Sequence, residues 1–335
     1  MQKISTYNGR ARKAAALAFA IGVCGLAASA PALAQGTQSW PQRNVRFILP
    51  FGAGSATDIA ARLFGEKLAA KWGKAVVVEN RPGGDGLVAI NAFISANDDH
   101  VLLYASSASF MAHPYTQEKL PYVLERDLAP IAQISDTVVT ASVPAATGIT
   151  TVKEFVERAR AEPAKFNVAG AAGVPEFAVT AFLKTEKLGA TKVPYRDVVQ
   201  AGRDLAENRI QLLLSSYAVV RPHIQSGKVK VVAVGGRNRS KVAPEVPSVV
   251  ETGYTALITE TTSGLYGPKD MPLALRERIG ADVIEAMSDA TVASRIAATG
   301  QDIRRGGPAV LAGTLKQQAA ATAGVAKILG MEAKK

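Results

Sequence analysis

From Val45 onward, apolar β-branched runs alternate with helix-patterned segments, and this alternation is the strongest constraint on the fold. Val45–Leu49 reads as a buried parallel strand. Ala56–Lys71 reads as a helix with Ile59, Leu63, Phe64 and Leu68 on one face, and Ala75–Val78 as the next strand. Repeated βαβ units of this kind build an α/β protein with parallel sheets. Between the first strand and its helix lies Phe51-Gly52-Ala53-Gly54-Ser55. A small-residue loop that opens a helix leaves backbone N–H groups unpaired, and the helix dipole favours an anion above them. Gly52–Thr57 is therefore a candidate seat for an anionic small molecule.

The alternation continues along the chain. Asn80–Gly86 is a strong turn signal, followed by a helix at Leu87–Ala96, a strand at Val101–Tyr104 and a small polar loop at Ala105–Ser109. Leu128–Val143 is strand-like and ends at Pro144. A helix at Thr151–Ala161, a short strand at Phe166–Val168, a second glycine loop at Gly170–Gly173 and a helix at Pro175–Leu188 follow. Val193–Tyr195, a helix near Val199–Asn208 and strands at Ile210–Leu214 and Val229–Val234 extend the pattern, and from Met271 the chain reads mostly helical. The loop–helix pattern of Gly52–Asp58 recurs loosely at Gly170–Glu176. Two α/β domains that each offer a helix N-terminus to a shared cleft would clamp one ligand.

The first 34 residues read as a secretory leader. Lys3, Arg10, Arg12 and Lys13 form a basic start, Ala14–Ala30 an apolar stretch, and Ala32-Leu33-Ala34 a small-x-small cleavage site, with the cut placed after Ala34. The apolar stretch is Ala- and Gly-rich and falls short of the ~20 residues a membrane span needs. The single cysteine, Cys24, leaves with this leader, so disulfides and thiolate chemistry are excluded from the mature chain. The remainder of a 335-residue chain exceeds what one core usually serves, so two domains are expected. The net charge of +11 comes from scattered residues without a basic block, which argues against nucleic acid.

Several motifs have competing readings. Gly52-x-Gly54-x-x-Thr57 with Glu79 imitates a dinucleotide fingerprint, but its third position is Thr and Pro50 stiffens the strand end. Ser55-Ala56-Thr57-Asp58 fits a capping box, with Ser55 as N-cap and Asp58 at N3. Asp58 would repel a close carboxylate, so a ligand there sits farther out, is bridged by water, or carries a donor. Ser106, Ser107 and Ser109 follow a strand, where short hydroxyls contact ligands in open α/β sheets; ordinary turn chemistry is the alternative. His100, His113 and His223 show no metal-ligand spacing, and no Gly-x-Ser-x-Gly elbow exists. Catalysis, a cofactor and a metal are not expected.

These residues resemble the tripartite tricarboxylate transporter substrate-binding proteins, the Bug-type periplasmic receptors. Trp40-Pro41 through Pro50-Phe51 is similar to the family's first strand, and Gly54-Ser55-Ala56-Thr57-Asp58 to its Gly-Gly-x-x-Asp loop. Val76-Val77-Val78-Glu79-Asn80-Arg81-Pro82-Gly83 resembles its most recognisable segment. Leu128-Ala129-Pro130-Ile131, Val193-Pro194-Tyr195, Pro222–Lys228 and Pro244–Ser248 follow in register. The resemblance implies an α/β, two-domain periplasmic-binding-protein (Venus flytrap) fold with mostly parallel sheets and a central ligand cleft. It implies domain 1 at 35–136 and 262–335 and domain 2 at 137–261, with crossings near Gln133–Val138 and Thr259–Gly264. It also implies a monomeric periplasmic receptor that captures a small organic acid for a membrane transporter or a sensor kinase; a secreted α/β hydrolase is the alternative class.

The resemblance places the ligand site at Phe51, Gly52, Ala53, Gly54, Ser55, Thr57, Asp58, Ser106, Ser107, Ser109, Gly173, Val174, Tyr195, Ser215 and Ser216. The chain departs from the family in the second domain. Gly173-Val174-Pro175-Glu176-Phe177 stands where Gly-Ser-x-x-His is usual, Leu214-Ser215-Ser216 where Phe-Asp-Asn is frequent, and Glu260-Thr261-Thr262-Ser263 where Thr-Ser-Trp-Phe is. Ser55 replaces the second glycine of the first loop. Loss of the acid at Ser215 removes a partner for a ligand amine, so a simple or hydroxylated carboxylate is expected rather than an amino acid.

Overall fold

A computed structural model describes residues 40–195 and 197–334. The leader, its cleavage after Ala34 and Cys24 lie outside the described residues. The body that starts at Arg43 runs through β1 (Val45–Leu49), α1 (Ala56–Trp72), β2 (Val76–Asn80), α2 (Leu87–Ala96), β3 (Val101–Ser106), β4 (Ala129–Thr137), β5 (Val139–Pro144), α3 (Val152–Ala161) and β6 (Asn167–Gly170). It continues with α4 (Val174–Thr185), β7 (Thr191–Lys192), α5 (Val198–Ala206), β8 (Leu212–Ser216), α6 (Tyr217–Gln225) and β9 (Val229–Val234). It ends with β10 (Thr262–Gly267), α7 (Leu273–Ser288), α8 (Ala290–Ala297), β11 (Gln301–Gly306) and α9 (Pro308–Leu329).

Two sheets result. The first has the order β11-β4-β10-β3-β1-β2 and the second β7-β6-β8-β5-β9. Each is mixed in the same way. β1 pairs in parallel with β2 and β3, and β6 in parallel with β7 and β8. The strands next to the crossings, β10, β4, β11 and β5, pair antiparallel. Successive strands therefore leave β1 in opposite directions, and the same holds at β6. Ligands in open α/β sheets settle in the crevice at such switch points, beyond the carboxyl ends of the strands. These ends carry the loops after β1 and β3 in one sheet and after β6 and β8 in the other.

Local sequence explains the first unit. Ser55 caps α1 by accepting from the Asp58 N–H at 3.2 Å, and Gly73 ends the helix with φ +64°. Gly suits that left-handed cap because it has no Cβ. Phe64 on α1 meets Phe47 of β1 and Tyr104 of β3 with ring centroids 5.6 and 5.2 Å apart. On the other face, Ile90 and Phe93 of α2, Leu103 of β3 and Leu311 and Leu315 of α9 share one core. The second sheet has its own core, with Phe155 meeting Phe166 edge-on and Phe182 at a tilt beside Leu212, Leu214 and Val232.

The structure differs from the sequence reading in four places. The strand-like run Leu128–Val143 divides at Val138 into β4 and β5, which lie in different sheets. No turn residue marks the division because the chain passes straight from one sheet to the other. Only Thr191–Lys192 pairs near the run read at Val193–Tyr195. β11 interrupts the C-terminal helices; its sequence, Gln-Asp-Ile-Arg-Arg-Gly, lacks an apolar run because it is an edge strand. α6 forms with Pro222 inside it, which masks the helix in sequence.

Candidate functional site

The loop after β1 is organised by Asp58. Its carboxylate accepts from the Gly54 N–H at 2.9 Å, from Asn80 Nδ2 at 3.0 Å, and from Nε and Nη2 of Arg62 at 2.9–3.1 Å. Asn80 Nδ2 also donates to the Phe51 carbonyl at 2.9 Å. Asp58 is only 3% exposed. Burial alone would raise its pKa, but Arg62, the Gly54 N–H and Asn80 outweigh it and hold the carboxyl below its usual range. The negative charge that would oppose an anion is thus matched within the loop. Gly52, Ala53 and Gly54 remain exposed, Phe51 and Ser55 half-buried, and Thr57 buried.

The loop after β3 lies alongside. A Cβ added to Gly86 would meet Ser109 Cβ at 3.1 Å and Pro50 Cβ at 3.4 Å, so this glycine lets the two loops converge. Ser106 Oγ accepts from the Ala108 N–H at 3.3 Å. Ser107 is fully buried, and its Oγ accepts from the Thr262 N–H at 2.9 Å, where the chain re-enters the first sheet. Ser109 is half-buried.

The second sheet meets this wall at Gly173. Its φ of +88° and ψ of −135° suit glycine alone, and a Cβ there would lie 2.9 Å from the Ala108 carbonyl oxygen. Val174 packs on the core of the first sheet, and α4 packs on α9. Between these helices Val174, Phe177, Gln318 and Ala321 leave a gap of only about 20 Å³. Ser216 and Tyr217 sit at the switch point after β8, and a Cβ on Gly300 would touch the Ala218 N at 3.2 Å. Ser215 is fully buried, with its carbonyl near Thr140 Oγ1. Tyr195 donates its hydroxyl to Asp204 at 2.7 Å; burial, first, and the Asp204 carboxylate push its pKa up to about 12.

The loops of Phe51–Asp58, Ser106–Ser109 and Gly173–Val174 are thus contiguous, whereas Tyr195 is tied to the α5 side of the second sheet. Gln301 was not legible as part of this region. Its Nε2 donates to the Ala56 carbonyl at 3.1 Å, and its Oε1 accepts from Ser135 Oγ at 2.5 Å, which fastens the start of α1 to β11 and β4. His113 and His100 have structural partners. His113 Nε2 faces the Asp85 carbonyl at 3.0 Å and Nδ1 the Tyr122 hydroxyl at 2.7 Å, while His100 Nδ1 lies 2.6 Å from Asp99.

Comparison with known proteins identifies the family and the fold. The model of the tripartite tricarboxylate transporter family receptor matches residues 60–319. A protein of the UPF0065 group from Bordetella bronchiseptica is 30% identical over 294 residues, covering 88% of this chain and 87% of its own. MatC of Rhodopseudomonas palustris, solved with bound malate, superposes with a TM-score of 0.72 at 24% identity, covering 85% of this chain and 99% of its own. Rpa4515 of R. palustris, solved with adipate, gives 0.74 at 22% identity, covering 87% and 99%. The two-sheet α/β architecture is that of these periplasmic binding proteins, and the chain belongs to the tripartite tricarboxylate transporter receptor family.

Proposed function

We propose that the chain is an exported periplasmic receptor, without catalytic chemistry of its own, that captures a small organic acid between two lobes and delivers it to a membrane transporter. The lobes divide as 35–136 with 262–335 against 137–261. The observation that carries the reading is the convergence of loops from both switch points, where Gly173 of one sheet abuts Ala108 of the other. One carboxylate of the ligand sits over the exposed backbone of Gly52–Ser55, where Asp58 is already neutralised by Arg62 and Asn80. Phe51, Ser106 and Ser109 flank it, and Gly173, Val174 and Ser216 close over it, while Tyr195, held by Asp204, stands away from these loops. The buried Thr57, Asp58, Ser107 and Ser215 hold these contacts in place from behind. Malate in MatC and adipate in Rpa4515 support a carboxylate ligand.

Mass spectrometry of ligand released from the purified protein, followed by a thermal-shift screen of succinate, malate, adipate, aspartate and glutamate, tests this. A diacid at ~100 times its Kd should add about 2.7 kcal/mol. Micromolar binding of aspartate or glutamate with none of the diacids would sink the ligand assignment.

A further inference from the structure

Gln301 carries a side-chain amide that is almost fully buried, 1% exposed. A buried amide is retained where its polar atoms are matched. Here both N–H groups and the oxygen are engaged. Nε2 donates to the Ala56 carbonyl at 3.1 Å and to Thr299 Oγ1 at 2.9 Å, and Oε1 accepts from Ser135 Oγ at 2.5 Å. Strand register explains the contact with Ser135. Gln301 lies opposite Thr137 and Ile303 opposite Ser135, so Gln301 and Ser135 are diagonal neighbours on one face of the sheet.

The two ends of this network lie in different parts of the molecule. One end is Ala56, the first residue of α1, next in the chain to Ser55. The other end is where the chain crosses between the sheets. Thr137, opposite Gln301, donates its N–H to the Thr261 carbonyl on the return crossing at 3.0 Å. The neighbouring Gly300 carbonyl accepts from the Val138 N–H at 3.4 Å. A Cβ on Gly300 would meet the Ala218 N at 3.2 Å, in the first turn of α6 beyond β8. The segment Thr299–Gln301 therefore touches the start of α1, a crossing and the second sheet's switch point at once.

We propose that Gln301 is a positioning residue for the acid seat, passing the setting of the Val138 crossing to the first turn of α1. This role rests on the acid lying over Gly52–Ser55, as proposed above. The amide holds the Ala56 carbonyl at a fixed distance from β4 and β11. A rotation at Val138 that shifts Gly300 therefore carries the start of α1 with it. By linkage, an acid that fixes the start of α1 also steadies the crossing. The relay needs a donor and an acceptor on one side chain, which an amide supplies and an apolar chain of the same length does not.

Amide hydrogen exchange and calorimetry on the full mature chain test the relay, with succinate, malate and adipate as probes. In Gln301→Met, exchange in the ligand-free protein should accelerate both in the first turn of α1 and at Val138. Affinity for whichever probe the wild type binds should fall about tenfold, as for the loss of one buried hydrogen bond. Gln301→Glu adds a readout that packing alone would not move. Its carboxyl keeps a donor and an acceptor while protonated and has only acceptors once ionised. Its affinity, taken as a ratio to wild type at each pH, should therefore recover as pH falls. Unchanged affinity in Gln301→Met, a Gln301→Glu ratio independent of pH, or faster exchange confined to one of the two segments overturns the proposal. If the wild type binds none of the probes, that failure belongs to the receptor reading, and exchange in the ligand-free protein decides the relay by itself. Should Gln301→Met fail to fold, Ser135→Ala removes the donor to Oε1 and takes its place with the same expectations.

Discussion

At the residue scale, Asp58 organises the loop after β1 from within. Its carboxylate gathers the Gly54 N–H, Arg62 and Asn80, and so fixes the path of the Gly52–Ser55 backbone. Asp58→Ala would leave the Asn80 amide and the Gly54 N–H without their partner. Loss of such charge-assisted bonds costs about 1.5–3 kcal/mol, to be read from urea melts. The pH dependence has a defined sign. The carboxyl titrates lower folded than unfolded, so its stabilisation is complete above the ordinary Asp value of ~3.9 and fades as pH falls below it. The stability gap between wild type and Asp58→Asn should narrow over that acid range, and a gap that widens there would contradict the assignment. The capping pair of Ser55 and Asp58 was legible in sequence, whereas the Arg62 pairing with Asp58 was not read from it. The contribution of Asn80 was not legible either, because it arrives from the end of β2 through pairing of β1 with β2.

At the scale of elements, the loop–helix junctions matter most. Gly173 combines a backbone conformation closed to other residues with contact against a carbonyl of the opposite wall. Gly173→Ala should cost about 1–3 kcal/mol in the closed form, which is about 5- to 150-fold in ligand affinity. Calorimetry with the acid identified for the wild type measures this; unchanged affinity would show that the two walls separate in the bound state. Sequence periodicity located the helices and strands that carry these junctions, since β1, α2 and β9 have the bounds their apolar runs announce. It failed where partners decide. β4 and β5 read as one run because both are apolar and no turn divides them. β11 falls inside the stretch read as mostly helical because an edge strand with Asp302, Arg304 and Arg305 has no apolar pattern to show. The two glycine loops were visible in sequence, whereas the approach of Gly173 to the loop after β3 depends on how both sheets are joined.

For the whole molecule, the join between the two sheets has two sides of different character. Near Gly300, the links are backbone bonds and one guanidinium: Val138 N–H to the Gly300 carbonyl at 3.4 Å, and Arg221 to the Ala298 carbonyl. Across α4 and α9 the contact is apolar, with Val174 seated on the core of the first sheet. An apolar contact of this kind is broken by a buried charge that lacks a partner. Val174→Asp should therefore open the lobes on that side. Small-angle scattering of the ligand-free protein should give a larger radius of gyration than wild type, with weaker acid binding, while circular dichroism is retained. An unchanged radius would mean that α4 does not hold the lobes together.

Val138 stands alone between β4 and β5, with its N–H bonded to Gly300 and its carbonyl accepting from the Tyr217 N–H at 2.7 Å. Every position of β5 is buried, with Val139, Ala141 and Val143 turned to the apolar core and Thr140 and Ser142 to the other face, where their hydroxyls lie 3.0 Å apart. One residue added here would reverse that order and drive two hydroxyls into the core. The crossing can accept many side chains but only one length, so variation among relatives at this point should take the form of substitution and not of insertion or deletion.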